Sequence, residues 1–231
     1  MLLSTPHMMT TRRQCLAILL LSGSWTIASG QISPLDSIAV YIVPLDDFPE
    51  DTASALARFL QQQLGIRIKA SLRLPPLGLS ALPGTNQYAV EDILAQGAAA
   101  SSSLPETSPS TYRLFLTTRD INNRTANFRF QISSHNPGSY CSVLSVARLL
   151  EYPNNKPLFT NLSASRLVKM AKRAIGEMTL GWTRTTNPTD LMYAPIMSID
   201  DLDRIGYEHN PNPNPNPKLN PPTSTLREDA A

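Results

Sequence analysis

The segment AIGEMTLGWTRTTNPTDLM, residues 174–192, completes an apolar helical pattern and decides the fold. Apolar residues recur here and just upstream at intervals of three and four, which is the spacing of one face of an α-helix. Ser163 or Ser165 can cap this helix at its N-terminus. We expect the basic residues of the helix to face away from the apolar stripe. The stripe consists of Leu167, Val168, Ala171, Ile175, Met178 and Trp182, and the basic residues are Lys169, Lys172 and Arg173.

The spacing within this segment resembles the active-site pattern of metzincin zinc proteases, H-E-x-x-H-x-x-G-x-x-H. In that pattern the histidines bind zinc and the glutamate activates water. With Gly181 at the glycine of the pattern, the histidine positions are Ala174, Met178 and Arg184, and the glutamate position is Ile175. Alanine and isoleucine have no donor atom, a thioether is a poor zinc ligand, and a guanidinium is itself a cation. None of the four positions can therefore perform its role.

The side chains around these positions have a structural interpretation as well. The apolar residues at the motif positions lie on the helical stripe, so we expect a packed core or a dry groove where a protease has its active site. Gly176 within the helix is unfavourable by up to ~1 kcal/mol relative to alanine. Arg184 is expected to pair either with Asp190 or with a peptide carboxylate.

Residues 1–30 have the features of an export signal. Arg12 and Arg13 precede the apolar run CLAILLLSGSWTIA, which is too short and too interrupted to span a bilayer. Small residues at the end of this segment offer a cleavage site. Residues 11–16 also resemble a twin-arginine signal, so two export routes are open. We expect an exported protein, periplasmic or extracellular, without a stable membrane anchor.

The rest of the chain has a balanced charge. The whole sequence contains 20 basic and 18 acidic residues, and the leader holds two arginines and no acid. A net charge near zero after processing gives no basis for binding nucleic acid. Cys141 is the one cysteine outside the leader, so no internal disulfide is expected, and its apolar neighbours indicate a buried strand thiol.

Strand-like and helix-like patterns alternate along residues 31–208, which predicts an α/β domain. The segment DDFPE at 46–50 is expected to supply the caps and the first-turn acids of the first helix, and Gly65 to end it. The predicted strands are 37–43, 66–69, 112–118 and one that begins at 141; the predicted helices end at 64, begin after 86, and include the stripe described above.

Two further segments have distinct patterns. Residues 127–132, NFRFQI, alternate apolar and polar side chains, as a half-exposed edge strand does. We expect Phe128, Phe130 and Ile132 to form an edge to which an extended peptide can add as a strand. Residues 209–231 contain the repeat NPNPNPNP, which cannot donate regular hydrogen bonds or bury a core. A disordered tail is expected there.

Several short motifs occur along the chain in one order. They are AVYIVPL at 39–45, QYA at 87–89 with Ile93 and Leu94, residues 117–121, Phe128, VLSVARL at 143–149, and Arg166, Leu167 and Lys169 before the degenerate site. Together they resemble the archaemetzincin family of zinc metallopeptidases over roughly residues 38–206. The resemblance implies a metzincin-like α/β fold with a mixed twisted sheet, an edge strand over the cleft, a long active-site helix and a small C-terminal subdomain.

The same family binds a structural zinc through four cysteines, the first two in the frame H-C-x-x-x-x-C-x-M. Here that frame places Thr185 and Asp190 at the cysteine positions, while Met192 remains at the Met-turn. No cysteine follows, so the second pair is missing as well. Residues 200–204 resemble the acidic C-terminal helix of the family. The resemblance thus implies a scaffold that would bind zinc in the family but has lost the ligands for both ions.

Three functions are compatible with the sequence. The first is a catalytically inactive, exported archaemetzincin-like protein that needs no cofactor and binds an extended peptide or a protein. The second is a hydrolase that uses unconventional residues such as Glu177, Asp190 or His209. The third is a structural module of the cell envelope, with the tail as a tether. His135 and His209 are not at ligand spacing to other donors, so a rebuilt zinc site is not expected. The ligand and the oligomeric state are left open.

Overall fold

The computed structural model describes residues 38–46, 48–125 and 129–210, so the predicted leader and most of the predicted tail lie outside the described residues. The elements are β1 (Val40–Pro44), α1 (Glu50–Leu64), β2 (Ile68–Ala70), β3 (Tyr88–Ala89), α2 (Val90–Ala100), β4 (Tyr112–Thr117), β5 (Ile121–Asn122), β6 (Ser133–Asn136), β7 (Cys141–Ser145), α3 (Asn161–Thr179) and α4 (Ile199–Arg204). None of the helices within these ranges is both long enough and apolar enough to cross a membrane.

The central sheet has five strands in the order β2-β1-β4-β7-β6. The first four strands run parallel to one another, and β6 pairs antiparallel with β7 at the edge. The short strands β3 and β5 form a separate parallel pair. The α/β fold with a mixed sheet that the sequence predicts is therefore confirmed.

Both faces of the sheet are covered by helices. Val40 and Ile42 of β1 pack with α1 and α3 in one apolar cluster, while Tyr41 and Val43 pack with α2 in another. This alternation follows from the strand geometry, because successive side chains point to opposite faces. The near-continuous apolar run of β1 is typical of a parallel strand buried on both faces.

Helix α1 ends where the sequence predicts but begins differently. Gly65 has a φ of 67° and closes the helix with its N–H on the carbonyl of Gln61. At the other end the cap position is Pro49, which offers no side-chain hydrogen bond. The Asp46 carboxylate instead accepts a hydrogen bond from the Thr117 hydroxyl at 2.5 Å. The predicted capping role of Asp46 is therefore wrong, and Asp47 lies outside the described residues.

Helix α3 is buried around almost its whole circumference. Its cap is Thr160, whose hydroxyl accepts from the N–H of Ser163, so neither predicted serine is the cap. Residues on every side of the helix between 163 and 176 are buried, with the exception of the partly exposed Ser165. The basic residues, which were expected to face away from the apolar stripe, are nevertheless buried. Their exposed fractions are 7% for Arg166, 4% for Lys169, 2% for Lys172 and 9% for Arg173.

These buried cations hold the C-terminal segment against the helix. Arg166 binds both carboxylate oxygens of Asp203, at 2.7 and 2.6 Å. The Lys169 ammonium donates to the carbonyls of Leu202 and Asp203, both at 3.1 Å. The Lys172 ammonium donates to the carbonyl of Tyr207 at 2.9 Å and to the carboxylate of Glu208. Each charge that leaves water thus gains hydrogen-bond acceptors, which is the condition for burying it.

The edge strand lies later in the sequence than the alternating pattern predicts. Strand β6 begins at Ser133, whereas the predicted strand covers residues 127–132. Of that segment, Gln131 forms an isolated bridge with Ile121, and Ile132 accepts a hydrogen bond from Ser145 at 2.8 Å. Phe128 lies outside the described residues.

The glycine within α3 makes room for an aromatic ring. A Cβ at Gly176 would lie 1.9 Å from Cε3 of Trp182, so any larger residue must displace the indole. The carbonyl of Gly176 also accepts from the N–H groups of Leu180 and Trp182, at 3.1 and 3.0 Å. Glycine is unfavourable within a helix, but at this position it leaves the space in which Trp182 packs across the end of the helix.

Gly176→Ala is expected to destabilise the protein by about 1–3 kcal/mol, because displacement of the indole outweighs the better helix propensity of alanine. Thermal unfolding followed by circular dichroism measures the effect. Gly78→Ala is the matched control, since a Cβ there meets its nearest atom, Oε1 of Gln96, at 3.9 Å. An unchanged melting temperature for Gly176→Ala would contradict the packing described here.

Candidate functional site

A cleft of about 570 Å³ lies between β6, α3 and the loop at residues 194–198. The segment 129–133 and His135 form one wall, and the loop forms the opposite wall. Helix α3 contributes residues at spacings of three and four, which places them on one helical face. These residues are Met170, Arg173, Ala174 and Glu177.

The degenerate motif positions are divided between the cleft and the core. Ala174 and Arg184 line the cleft. Ile175 is fully buried in the cluster that α3 shares with α1 and the sheet. Met178 packs against the same cluster, and its carbonyl accepts a hydrogen bond from the Tyr140 hydroxyl at 2.6 Å.

The turn after α3 brings Arg184 back beside the helix. Gly181 has a φ of 67°, a conformation that favours glycine, and it follows the helix end directly. Arg184 then pairs with Glu177, with Nη2 and Oε1 3.2 Å apart. The expected pair with Asp190 does not form. Both partners are partly exposed, at 56% and 31% of their side chains, so the pair contributes little to stability.

His135 places an imidazole in the same cleft. Its Nδ1 lies 2.7 Å from Oγ of Ser142 on the neighbouring strand β7. Burial lowers the pKa of His135 below its ordinary value; Glu177 opposes this shift, and the charges of Arg184 and Arg173 add to it. His135 is therefore neutral at pH 7.

Apolar side chains also line the cleft. Phe130 and Ile132, two of the predicted edge-strand residues, line it. The guanidinium of Arg148 lies over the ring of Phe130, 4.9 Å from its centroid. Met197 lines the opposite wall and is 74% exposed. The cleft thus combines charged groups on the helix with apolar groups at its rim.

The donor groups in this cleft do not fit a zinc ion. The residues at the motif positions have no suitable donor atoms, and the two titratable groups nearby, His135 and Glu177, are engaged with Ser142 and Arg184. Across the part of the chain that the structure describes, no group of three or more His, Cys, Asp or Glu residues could hold a metal ion.

Thr185 and Asp190, the two residues at the cysteine positions of the structural-zinc frame, form hydrogen bonds within the protein. Asp190 accepts from Nδ1 of His209 at 2.9 Å and from the N–H groups of Met192 and Asn210, at 2.6 and 2.8 Å. Burial raises the pKa of Asp190, but these bonds outweigh it, and its pKa lies below the ordinary value. The Thr185 hydroxyl accepts from the N–H of Asn187 at 3.1 Å.

Aromatic and sulfur side chains pack around the Asp190–His209 pair. The Trp182 ring lies 5.3 Å from that of His209, and Met192 is fully buried. Asp190 and His209 are themselves 2% and 3% exposed. Neither side chain of the pair reaches the cleft surface, and the pair joins the loop after α3 to the last described residues.

Sequence reasoning missed several residues of the cleft. Arg173 was expected only to face away from the apolar stripe, because charged residues are rarely buried without a partner visible nearby in sequence. His135 was noted only as a candidate zinc ligand. Arg129, with its neighbours at the start of the cleft wall, was assigned to a strand. No alternation of apolar and polar residues marks SSHN at 133–136, so no local signal could have placed β6.

Three solved structures resemble this chain. Archaemetzincin (AmzA) from Archaeoglobus fulgidus, complexed with malonate, has a TM-score of 0.56 and 24% identity, and the match covers 75% of this chain and 96% of that one. A zinc-dependent peptidase from Methanocorpusculum labreanum has a TM-score of 0.61 and 19% identity, with 75% and 96% covered. Archaemetzincin from Methanopyrus kandleri has a TM-score of 0.57 and 19% identity, with 78% and 93% covered.

No protein-family model matches the chain, and no curated protein sequence matches it. At the identities given above, the structural likeness establishes the fold. The archaemetzincin-like fold that the sequence predicts is therefore confirmed.

Replacement of His135 by Gln should reduce the loss of stability on acidification. Burial lowers the pKa of His135 in the folded protein. As the pH falls below about 6.5, the unfolded chain therefore binds a proton first, and the free energy of unfolding decreases until the pH lies below the pKa of His135 in the folded protein. The loss is up to about 1.4 kcal/mol per pH unit. Urea unfolding at pH 7 and pH 5 measures it. Equal changes for wild type and His135→Gln would contradict the assignment.

A chain that ends at Glu208 should be less stable than one that ends at residue 214. The shorter chain removes two of the three donors to the buried Asp190 carboxylate, which costs about 1–3 kcal/mol. The longer chain keeps both donors and serves as the control for shortening. Equal melting temperatures for the two chains would show that the Asp190–His209 pair does not stabilise the fold.

Proposed function

We propose that this chain is a degenerate member of the archaemetzincin family, an exported protein without peptidase activity that binds an extended peptide along the open edge of β6. Export is inferred from the leader at residues 1–30, which lies outside the described residues. The observation that carries the binding proposal is the outer edge of β6, which borders the cleft and pairs with no other strand in the part of the chain that the structure describes.

The hydrogen-bonding pattern of β6 leaves two residues available to a peptide backbone. Ile132 accepts from Ser145, and the register pairs Ser133 with Leu144 and His135 with Ser142. In an antiparallel pair the bonded and non-bonded positions alternate, so Ser133 and His135 are non-bonded. Their N–H and C=O groups point away from β7, towards the open edge. An extended peptide can form main-chain hydrogen bonds with them.

The same two residues turn their side chains towards the cleft. Ser133 and His135 line it, whereas Ser134 does not. Because side chains alternate between the faces of a sheet, a strand added beside β6 would also direct every second side chain towards α3. Backbone pairing would thus supply affinity, and the cleft would supply selectivity.

The chemistry of the cleft supports binding rather than hydrolysis. A metzincin activates water with a glutamate beside a zinc ion, and here that position is the buried Ile175. The carboxylate that does line the cleft, Glu177, pairs with Arg184, whose guanidinium offers no ligand for a metal.

A hydrolase that uses unconventional residues is the second candidate. Glu177 and His135 both line the cleft, which is the observation in its favour. Asp190 and His209, which the sequence also suggested, are buried in a pair with each other and are unsuited to contact a substrate. Peptide cleavage that is lost in Glu177→Gln would support this candidate.

A library of blocked, fluorescein-labelled decapeptides tests the proposal. Binding is measured by fluorescence anisotropy, and cleavage by mass spectrometry with added zinc. We expect some peptides to bind and none to be cleaved. Ser133→Pro removes the outward N–H at the first residue of the edge strand, where proline is tolerated, and should weaken binding about fivefold.

Ser133→Ala is the matched control, because it removes the side chain but keeps the N–H. It should bind the same peptides more tightly than Ser133→Pro does. Equal affinities for the two variants would contradict strand addition. Chelator-sensitive cleavage of library peptides would contradict the inactive assignment.

A further inference from the structure

The cleft has an excess of positive charge. Among the described residues that line it, Arg129, Arg173 and Arg184 carry guanidinium groups, and Glu177 carries the one carboxylate. His135 is neutral at pH 7, because burial lowers its pKa. With one guanidinium balanced by Glu177, two positive charges remain in a partly enclosed space. Such a charge excess attracts an anionic group.

Arg173 is a buried cation of α3 that lines the cleft and has no carboxylate partner among the described residues. Arg166 and Lys172 each have a carboxylate partner, in Asp203 and Glu208. Arg173 is 9% exposed, and its Nη1 donates only to two main-chain carbonyls, those of Leu191 and Tyr193. Within the described ranges no carboxylate lies at ion-pair distance from it, and its Nε and Nη2 donors have no protein acceptor and remain accessible from the cleft.

The environment of Arg173 favours a negative partner. Burial lowers the pKa of Arg173 to about 10, and the nearby charge of Arg184 contributes to the shift. A buried cation with unused donors is costly, and a carboxylate that accepts from those donors relieves the cost. Arg184 can join such a contact, because its exposed pair with Glu177 is weak.

We propose that Arg173, Arg184 and Arg129 form a subsite for the acidic side chain of an extended peptide bound along β6. This inference rests on the function proposed above and specifies the ligand. A side chain is favoured over a terminal carboxylate for a geometric reason. Peptide side chains on the face shared with Ser133 and His135 are directed towards α3, whereas a C-terminal carboxylate lies along the line of the strand.

The exposed apolar rim specifies the flanking residues. Met197, Phe130 and Ile132 line the cleft around the charged groups. The expected ligand therefore has one Asp or Glu that reaches the helix, with apolar neighbours that contact the rim. An apolar rim also excludes water from the ion pair, which strengthens it.

Three synthetic peptides test the subsite. The first is acetyl-Thr-Val-Glu-Val-Thr-amide, the second has Gln in place of Glu, and the third has Gln and a free C-terminal carboxylate. Titration calorimetry at low salt gives the affinities. We expect the Glu peptide to bind about tenfold or more tightly than the Gln amide, and the difference to shrink at high salt.

Variants separate the subsite from the fold. Arg173 also holds main-chain carbonyls, so Arg173→Met can fail to fold, and Arg184→Gln is the principal test because its side chain is 56% exposed. It should remove most of the preference for Glu. Arg67→Gln is the matched control: Arg67 forms a partly exposed pair with Glu106 at 2.8 Å, beside β2 at the opposite edge of the sheet. It should keep the preference.

Each outcome decides one part of the inference. Equal binding of the Glu and Gln amides would overturn the acidic subsite and leave strand addition intact. Tight binding of the Gln peptide with a free C-terminus would overturn the side-chain assignment in favour of a terminal carboxylate. An undiminished Glu preference in Arg184→Gln would overturn the part assigned to that residue. Binding of none of the three peptides would count against the proposed function itself.

Discussion

The structure depends on the hydrogen bonds that the buried cations of α3 make with the C-terminal segment. Arg166, Lys169, Lys172 and Arg173 are all nearly inaccessible to water, and each donates to main-chain carbonyls or to carboxylates. A buried charge without such partners costs several kcal/mol. The C-terminal segment has little regular structure of its own beyond the short α4. This segment stays in place because it supplies the hydrogen-bond acceptors without which the cations of α3 could not remain buried.

The same constraint shapes the cleft. By binding the carbonyls of Leu191 and Tyr193, Arg173 fixes the chain that leads into the loop at 194–198, and that loop is one wall of the cleft. On the other side, the antiparallel strand β6 has no further strand paired to its outer edge among the described residues. A scaffold that resembles a zinc-dependent peptidase in fold thus presents the guanidinium groups of Arg173 and Arg184 in its cleft. The buried Asp190–His209 pair joins the loop after α3 to the last described residues, likewise through hydrogen bonds.

Local patterns in the sequence predicted most of the scaffold. Helix α1 with its terminal Gly65, the strands β1 and β4, and the spacing of α3 all follow from periodicity within a short window. The edge strand was predicted at residues 127–132 instead of 133–136, because residues 127–132 alternate as a strand does. The pairing with β7 that selects residues 133–136 is not visible in the local sequence. The burial of Lys169, Lys172 and Arg173 was not predicted for a similar reason. Their partners lie 18 to 36 residues downstream, and no local rule connects them.

We propose that this archaemetzincin-like scaffold has exchanged zinc chemistry for recognition of a peptide. Metal content tests it most directly: the mature protein, purified after expression with added zinc and then dialysed, is assayed by inductively coupled plasma mass spectrometry. The account predicts zinc far below one ion per chain, because the cleft and the region of the second frame lack sets of donors among the described residues. One or more zinc ions per chain that survive dialysis would contradict it.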